Sequence, residues 1–376
     1  MTSKERMMIA IAGGIPDRVP VAPDMSNMIP AKLTGKKFYD IYRYNNPPLW
    51  KAYIDAVKRF GVDGWFIYGS CDCEFDVEFT AEDEIISQDE EHILSKLTFH
   101  TPAGDLSTET MHPADQPPTT VRGLIKDLKE DFEALKYTMP KIKSYKFDTY
   151  RQMQAELGDF GACGMCAAFP GYQTVLGYFD EKLEGVVFAH ADYPDLFDEL
   201  MAFMYDRFMD TVKISIEAKP DFLLLGGSGS ITLASVDLFK KYALPFIKEA
   251  TALAKDAGVL TMLHSCGKER ALVELVANET DLDCVNPLEI PPMGDCDLGE
   301  IKKSFGDKIS LMGNIHTTDV MLYGSVDDVK AACKKAIDDA AYNGGFILST
   351  GDQCGRDTPE ENIRAMVEVA KTYGKY

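Results

Sequence analysis

Residues 309–350 read ISLMGNIHTTDVMLYGSVDDVKAACKKAIDDAAYNGGFILST, and this stretch decides the fold. The apolar runs at its two ends, 309–315 and 345–350, have the length and composition of buried β-strands. The segment between them, 326–343, carries apolar residues at helical spacing, and a helix there would connect two parallel strands. Those apolar residues are Val326, Val329, Cys333, Ala336, Ile337 and Ala340. The stretch therefore predicts a strand–helix–strand unit.

The same alternation extends over most of the chain. The predicted strands are 18–24, 63–69, 160–166, 221–227, 259–265, 283–289, 309–315 and 345–350. Eight parallel strands with covering helices is the number that closes a (β/α)8 barrel. We therefore predict an α/β protein with a single (β/α)8 TIM-barrel domain over residues 1–376. The alternative is an open doubly wound sheet. However, LGGSGSIT (225–232) lacks the G-x-G-x-x-G spacing of a dinucleotide-binding loop.

Residues 71–147 do not follow this alternation of strands and helices. The segment 92–112 alternates apolar and polar residues around a turn at Ala103–Asp105, which predicts a β-hairpin. Residues 123–137, GLIKDLKEDFEALKY, have the pattern of a helix. We interpret 71–147 as an insertion between the second and third strands of the barrel.

Composition and charge exclude several classes of protein. The formal net charge of −21 would repel a phosphate backbone, which argues against nucleic-acid binding. No apolar stretch reaches the roughly 18 residues that a membrane span needs, no basic cluster suggests a membrane surface, and the first 20 residues do not resemble a signal peptide. Nine cysteines in a chain of this length indicate free thiols in a reducing compartment. We expect a cytoplasmic protein.

In such a barrel the active site lies at the carboxyl ends of the strands. Polar and thiol residues follow the predicted strands at that end. They are Asp24, Asn27, Cys71, Cys73, His264, Cys266, Asn286, Glu289, Asn314, His316, Asp352 and Cys354. Their gathering at one mouth predicts a functional site there.

The motif LHSCG (263–267) is the most informative of these. Residues two apart at a strand end point to the same side, so His264 and Cys266 form a compact pair of ligands suited to zinc. A third ligand must come from a distant part of the chain, and Cys354 at the end of the last strand offers one. The alternative is that His264 and Cys266 are ordinary packing residues.

The motif LHSCG, together with segments 286–325 and 344–375 and the opening SKERMMIAIAGGIPDRVPV (3–21), resembles the uroporphyrinogen decarboxylase superfamily. Within it, the chain more closely resembles the zinc-dependent corrinoid methyltransferases. The resemblance implies a (β/α)8 barrel and a zinc ion held by an H-x-C pair and a distal cysteine. Carried over to this sequence, the implied zinc ligands are His264, Cys266 and Cys354.

The decarboxylase branch of the superfamily is the rival interpretation. Its members carry an arginine-rich motif near the N-terminus that binds the substrate's carboxylates. At the matching place this chain reads VAPDMSNMIPAKLTG (21–35), and no arginine lies between Arg18 and Arg43. The departure favours the methyltransferase branch.

The resemblance implies methyl transfer between a small substrate and the cobalt of a corrinoid. No stretch resembles the D-x-H-x-x-G pattern of a cobalamin-binding domain, so the corrinoid is expected on a separate partner protein. We favour transfer from a small methylated compound, such as an aryl methyl ether, to that corrinoid protein. The alternatives are methylation of a thiol of the coenzyme M type, a porphyrinogen decarboxylase, and a catalytically silent barrel that binds a corrinoid protein or small ligand.

Three further residues are candidate catalytic groups. Glu289 could donate a proton to the leaving oxygen or serve as a fourth zinc ligand, or merely cap its loop. His316 could orient substrate or shuttle a proton, or be a solvent-facing loop histidine. Asp24 could contact substrate or cap a helix. The pair Cys71 and Cys73 has no evident third ligand, and we interpret both as loop thiols.

Overall fold

The computed structural model describes residues 1–376 and is built around a curled parallel β-sheet. Seven strands form this sheet in the order β1-β8-β9-β10-β11-β12-β13, and every neighbouring pair is parallel. The strands of the protein are β1 Gly64–Gly69, β2 Asp72–Phe75, β3 Thr80–Gln88, β4 His92–Thr101, β5 Gly104–Pro113, β6 Thr119–Arg122, β7 Ile142–Lys146, β8 Gly161–Ala168, β9 Phe222–Gly226, β10 Leu260–His264, β11 Cys284–Asn286, β12 Ser310–Ile315 and β13 Phe346–Thr350.

Helices precede the first sheet strand and then alternate with the sheet strands along the chain. They are α1 Ser3–Ile11, α2 Met28–Leu33, α3 Phe38–Tyr42, α4 Leu49–Phe60, α5 Leu128–Thr138, α6 Asp148–Leu157, α7 Tyr172–Val175, α8 Lys182–Asp192, α9 Pro194–Glu217, α10 Val236–Leu238, α11 Leu244–Asp256, α12 Arg270–Glu279, α13 Leu298–Phe305, α14 Val326–Ala340 and α15 Glu360–Thr372. Short 3₁₀ and π segments cover Gly158–Phe160, Phe239–Ala243 and Thr317–Leu322. No helix combines the length and apolar character needed to cross a bilayer.

The predicted strand–helix–strand unit is confirmed. β12 and β13 pair in parallel over five residues, and α14 connects them. On α14, Val329, Cys333 and Ile337 are buried against the main core, as the helical spacing predicts. Burial of this stripe, rather than intrinsic helix propensity, supplies most of the helix's stability.

The predicted first strand, residues 18–24, differs from the prediction. It runs beside β13 but makes only one isolated parallel bridge, Val21 to Leu348. On its other side Val21 accepts a hydrogen bond from the backbone N–H of Asp63, which precedes β1. Pro20 and Pro23 have no N–H to donate, so a regular ladder cannot form on this segment. The parallel sheet consequently has seven regular strands and one extended neighbour.

Between β1 and β8 the chain forms a second, antiparallel sheet in the order β3-β4-β5-β6. β4 and β5 are the predicted hairpin, closed where Thr101 pairs with Gly104. The helix predicted over 123–137 is wrong at its start, because α5 begins at Leu128. Asp127 accepts hydrogen bonds from the backbone N–H groups of Lys129 and Glu130 and so fixes that start.

Candidate metal centre

The candidate residues lie together at the carboxyl end of the parallel sheet. His264 is the last residue of β10, and Cys266 lies in the loop that follows it. Glu289 follows β11, and Asp352 follows β13. Because all these strands are parallel, their carboxyl ends meet at the same edge of the sheet.

The first group consists of Asp24, His264 and Asp352, which each offer a ligand atom within 4.8 Å of the others. The His264 Nε2 lies 3.8 Å from the Asp352 Oδ1. Asp24 reaches the group because its segment runs beside β13, and its Oδ1 accepts a hydrogen bond of 2.9 Å from the backbone N–H of Ser26. Burial raises the pKa of Asp24, and the neighbouring His264 opposes that rise.

The second group consists of Cys266, Glu289 and Asp352, again within 4.8 Å of one another. Burial raises the pKa of the Cys266 thiol to about 11 and also raises the pKa of Glu289. Asp352 is common to both groups, so the two groups adjoin. The combined donors are an imidazole, a thiol and three carboxyl groups.

Gly267, which follows the H-x-C pair, links the loop that carries Cys266 to the side chain of Glu289. Its backbone N–H donates to the Glu289 Oε2, which ties the loop after β10 to the residue after β11. It adopts φ +92°, and a Cβ added there would lie 2.2 Å from the Thr232 Oγ1. Only glycine meets both conditions without displacing its neighbours.

Sequence reasoning placed Asp352 at the mouth but did not select it as a ligand. It has φ +115°, in the left-handed half of backbone space that non-glycine residues rarely occupy. Its backbone carbonyl accepts a hydrogen bond of 2.7 Å from the Thr350 hydroxyl. Backbone strain of this kind is concentrated at functional sites. The signal is conformational, so the sequence alone does not carry it.

Cys354 is fully buried near these residues but belongs to neither group. Its backbone N–H donates to the Asp24 carbonyl at 2.8 Å, and its sulfur lies 3.9 Å from the Thr350 hydroxyl. Burial raises the pKa of its thiol to about 12. The structure therefore places Asp352 within 4.8 Å of His264 and of Cys266, whereas Cys354 belongs to no group of three potential ligands.

His316 has a structural role that the sequence did not suggest. Its Nδ1 accepts hydrogen bonds from the backbone N–H groups of Thr318 (3.2 Å) and Asp319 (2.9 Å), and so it caps the π segment Thr317–Leu322. Its side chain is mostly buried, which differs from the solvent-facing alternative. The Nε2 atom is buried and has no hydrogen-bond partner.

Glu269 is a further residue that sequence reasoning missed. It is fully buried, and its Oε2 accepts hydrogen bonds from the backbone N–H groups of Leu288 (2.6 Å) and Glu289 (3.2 Å). Burial raises its pKa well above the ordinary value. Glu269 thereby fixes the backbone that presents Glu289.

The donor set fits a zinc ion. Zinc accepts imidazole, thiolate and carboxylate ligands, and three protein ligands leave one position open. In the absence of a metal, the Cys266 thiol with its pKa of about 11 is protonated at neutral pH. A bound divalent cation would displace that proton and compensate the negative charge of the carboxylates.

A family model described as uroporphyrinogen decarboxylase (URO-D) matches residues 108–373. The chain belongs to this family. Among curated relatives, it is 27% identical over 289 residues to the methylcobamide:CoM methyltransferase MtbA of Methanosarcina mazei. This match covers 72% of this chain and 74% of that protein. It is 29% identical over 183 residues to the methylcobamide:CoM methyltransferase MtaA of Methanosarcina barkeri, which covers 48% of this chain and 50% of that protein.

The chain is also similar to a curated decarboxylase and to a solved methyltransferase structure. A uroporphyrinogen decarboxylase of Pelodictyon phaeoclathratiforme is 27% identical over 164 residues, which cover 42% of this chain and 43% of that protein. A solved structure described as a methyltransferase from Methanosarcina mazei shares the fold with a TM-score of 0.66, 16% identity and 99% coverage of both chains. The predicted superfamily, and within it the relationship to corrinoid methyltransferases, are confirmed.

Proposed function

We propose that this protein is a zinc-dependent methyltransferase that moves a methyl group between a small methylated substrate and the cobalt of a corrinoid protein. The proposal rests on two adjoining groups of potential ligands that share Asp352. The first group also contains Asp24 and His264, and the second also contains Cys266 and Glu289. The similarity to two methylcobamide:CoM methyltransferases supports the reaction class. The nine free cysteines suit a reducing compartment such as the cytoplasm.

The chain's own residues have distinct roles in this proposal. His264 and Cys266 hold the zinc, with Asp352 or the predicted Cys354 as third ligand. Bound zinc would act as a Lewis acid toward an oxygen or sulfur atom of the substrate. Glu269 and the Gly267 N–H hold Glu289 in place, and burial raises the pKa of Glu289, which favours the protonated carboxyl. In that form Glu289 can donate a proton to an oxygen leaving group.

The charge of the site favours one kind of substrate. Three carboxyl groups, those of Asp24, Glu289 and Asp352, lie at the candidate centre. A sulfonated thiol such as coenzyme M would bring a negative charge to a site that already contains three carboxyl groups. A neutral methyl donor, such as an aryl methyl ether, avoids that cost. We therefore infer the demethylating direction.

Thiol methylation is the second candidate, because the names of the two methanogen relatives specify coenzyme M. Both directions require a corrinoid that reaches the mouth of the sheet on a separate protein.

We also propose that residues 18–24 complete an eight-stranded barrel around this mouth. The contacts of Val21 with Leu348 and with Asp63 support that closure.

The test is a cobalt absorbance assay with the zinc-loaded protein. We expect cob(I)alamin to be converted to methylcob(III)alamin in the presence of an aryl methyl ether, and methylcobalamin to remain stable with coenzyme M. Glu289→Gln should retain zinc and slow the transfer by about 10²- to 10⁴-fold, the usual contribution of a general acid. Methyl transfer to coenzyme M would reverse the proposed direction. Unchanged cobalt spectra with both substrates would contradict the proposed function.

A further inference from the structure

Cys71 and Cys73 form a sulfur–sulfur contact outside the candidate metal centre. Their Sγ atoms lie 2.7 Å apart, and both side chains are half-buried rather than enclosed in the core. Residues two apart in an extended chain point to the same side, which explains why the two thiols meet. None of the other seven cysteines makes a sulfur–sulfur hydrogen bond.

The backbone holds this pair in its extended form. β2 begins at Asp72, and Cys73 is paired in register with Tyr145 of β7. The Asp72 carboxylate accepts a hydrogen bond of 3.0 Å from the backbone N–H of Thr149, which secures the residue between the two cysteines. The pair follows β1 by two residues and so lies toward the same end of the sheet as His264.

The surroundings suit a dithiol better than a metal site. Neither sulfur belongs to a group of three potential ligands within 4.8 Å of one another. A disulfide has a sulfur–sulfur distance of about 2.05 Å, so the two atoms need to approach by well under 1 Å to bond. Partial exposure lets a small reagent reach them.

We propose that Cys71 and Cys73 are a redox-active dithiol that reduces small disulfides by thiol–disulfide exchange. This activity is separate from the proposed methyl transfer.

The exchange takes two steps. The Cys71 thiolate attacks one sulfur of the small disulfide, the reagent's S–S bond breaks, and one reagent thiolate leaves. The Cys73 thiolate then attacks the Cys71 sulfur, which forms the Cys71–Cys73 bond and releases the second reagent thiolate. The two cysteine protons pass to the two departing thiolates, so the protein loses two hydrogens and the reagent gains them. The 2.7 Å approach of the two sulfurs allows Cys73 to carry out the second step, where attack is intramolecular. Burial and the neighbouring Cys71 raise the pKa of Cys73 to about 12, which disfavours it as the first nucleophile.

The test uses the reduced full-length chain and bis(2-hydroxyethyl) disulfide, followed by intact-mass and peptide-mass spectrometry. We expect the protein to lose the mass of two hydrogen atoms without a retained adduct, and the new bond to map to residues 71 and 73. The rate should rise about tenfold per pH unit while the attacking thiol is mostly protonated, because the thiolate is the nucleophile.

Variants separate the two steps. Cys73→Ser should retain one reagent thiol on Cys71, because the resolving group is missing, and Cys71→Ser should lose disulfide formation. Cys166→Ser removes an exposed thiol outside this pair and should behave as the wild type. Circular dichroism checks that each variant is folded. A wild-type protein that stays reduced where dithiothreitol is oxidised, retains an adduct, or links other cysteines would overturn the proposal.

Discussion

At the scale of single residues, Asp352 is where the two candidate ligand groups meet. The spacing of His264 and Cys266 could be recognised in the sequence because both residues belong to one strand end. The contribution of Asp352 could not be recognised, since it depends on the packing of β13 beside residues 18–24 and on a rare backbone conformation. Cys354 was predicted from its place after the last strand and from the resemblance, and it lies next to these residues but outside both groups.

A pair of variants decides between Asp352 and Cys354 as third ligand. We expect Asp352→Asn to lose most of the bound zinc, because the amide oxygen is a weaker ligand and carries no charge. The matched control is Asp357→Asn, an exposed aspartate of the same loop, which should retain zinc. Elemental analysis measures the metal. Retention of zinc in Asp352→Asn with its loss in Cys354→Ser would assign the role to Cys354.

Gly267 provides a second prediction at this scale. Gly267→Ala places a Cβ against Thr232 and forces a residue with φ +92° into a conformation that costs about 1–2 kcal/mol. Gly258→Ala has a similar left-handed conformation (φ +71°) but meets no atom within 4 Å. We expect Gly267→Ala to lower the free energy of unfolding in urea by more than Gly258→Ala. Equal losses would show that Thr232 accommodates the added methyl group.

At the scale of elements, helices and strands with strong periodicity were predictable, and segments governed by particular hydrogen bonds were not. The apolar stripe of α14 identified that helix, whereas Asp127 fixed the start of α5. Residues 18–24 have the composition of a strand, but their prolines prevent a regular ladder. This segment is held instead by Asp63, whose carboxylate accepts hydrogen bonds from Arg6, Arg18 and the backbone N–H of Val21.

We therefore expect Asp63→Ala to destabilise the protein by about 3–5 kcal/mol, because it leaves two arginines buried without their shared counterion. Asp17→Ala removes a partly exposed partner of Arg6 and should cost about 1 kcal/mol or less. Urea unfolding measures both. Since residues 18–24 end at Asp24, the Asp63 variant should also lose zinc affinity. Similar stabilities for the two variants would contradict this account of how the segment is held.

At the scale of the whole molecule, buried thiols contribute a loss of stability as the pH rises above about 9. Burial raises the pKa of Cys333 and of Cys354 to about 12, from an ordinary value of 9.0. Between these values the unfolded chain releases the protons first, so the free energy of unfolding falls as pH rises. The stabilising contribution is complete below about pH 9 and is lost as the pH approaches 12.

Cys333→Ala tests this dependence. The variant lowers stability at every pH by leaving a small cavity, but it removes one titrating group. We expect its free energy of unfolding to fall less steeply above pH 9 than that of the wild type, by up to about 1.4 kcal/mol per pH unit. Urea unfolding of the reduced proteins at several pH values measures the slopes. Parallel curves would show that Cys333 does not contribute.

The zinc content of the purified protein, measured by elemental analysis beside His264→Ala, tests the central claim most directly. We expect about one zinc per chain in the wild type, and its loss in the variant while the variant stays folded, because His264 is an essential ligand. A zinc-free wild-type protein that does not take up added zinc, or a His264→Ala variant that keeps its zinc, would contradict the proposed metal centre.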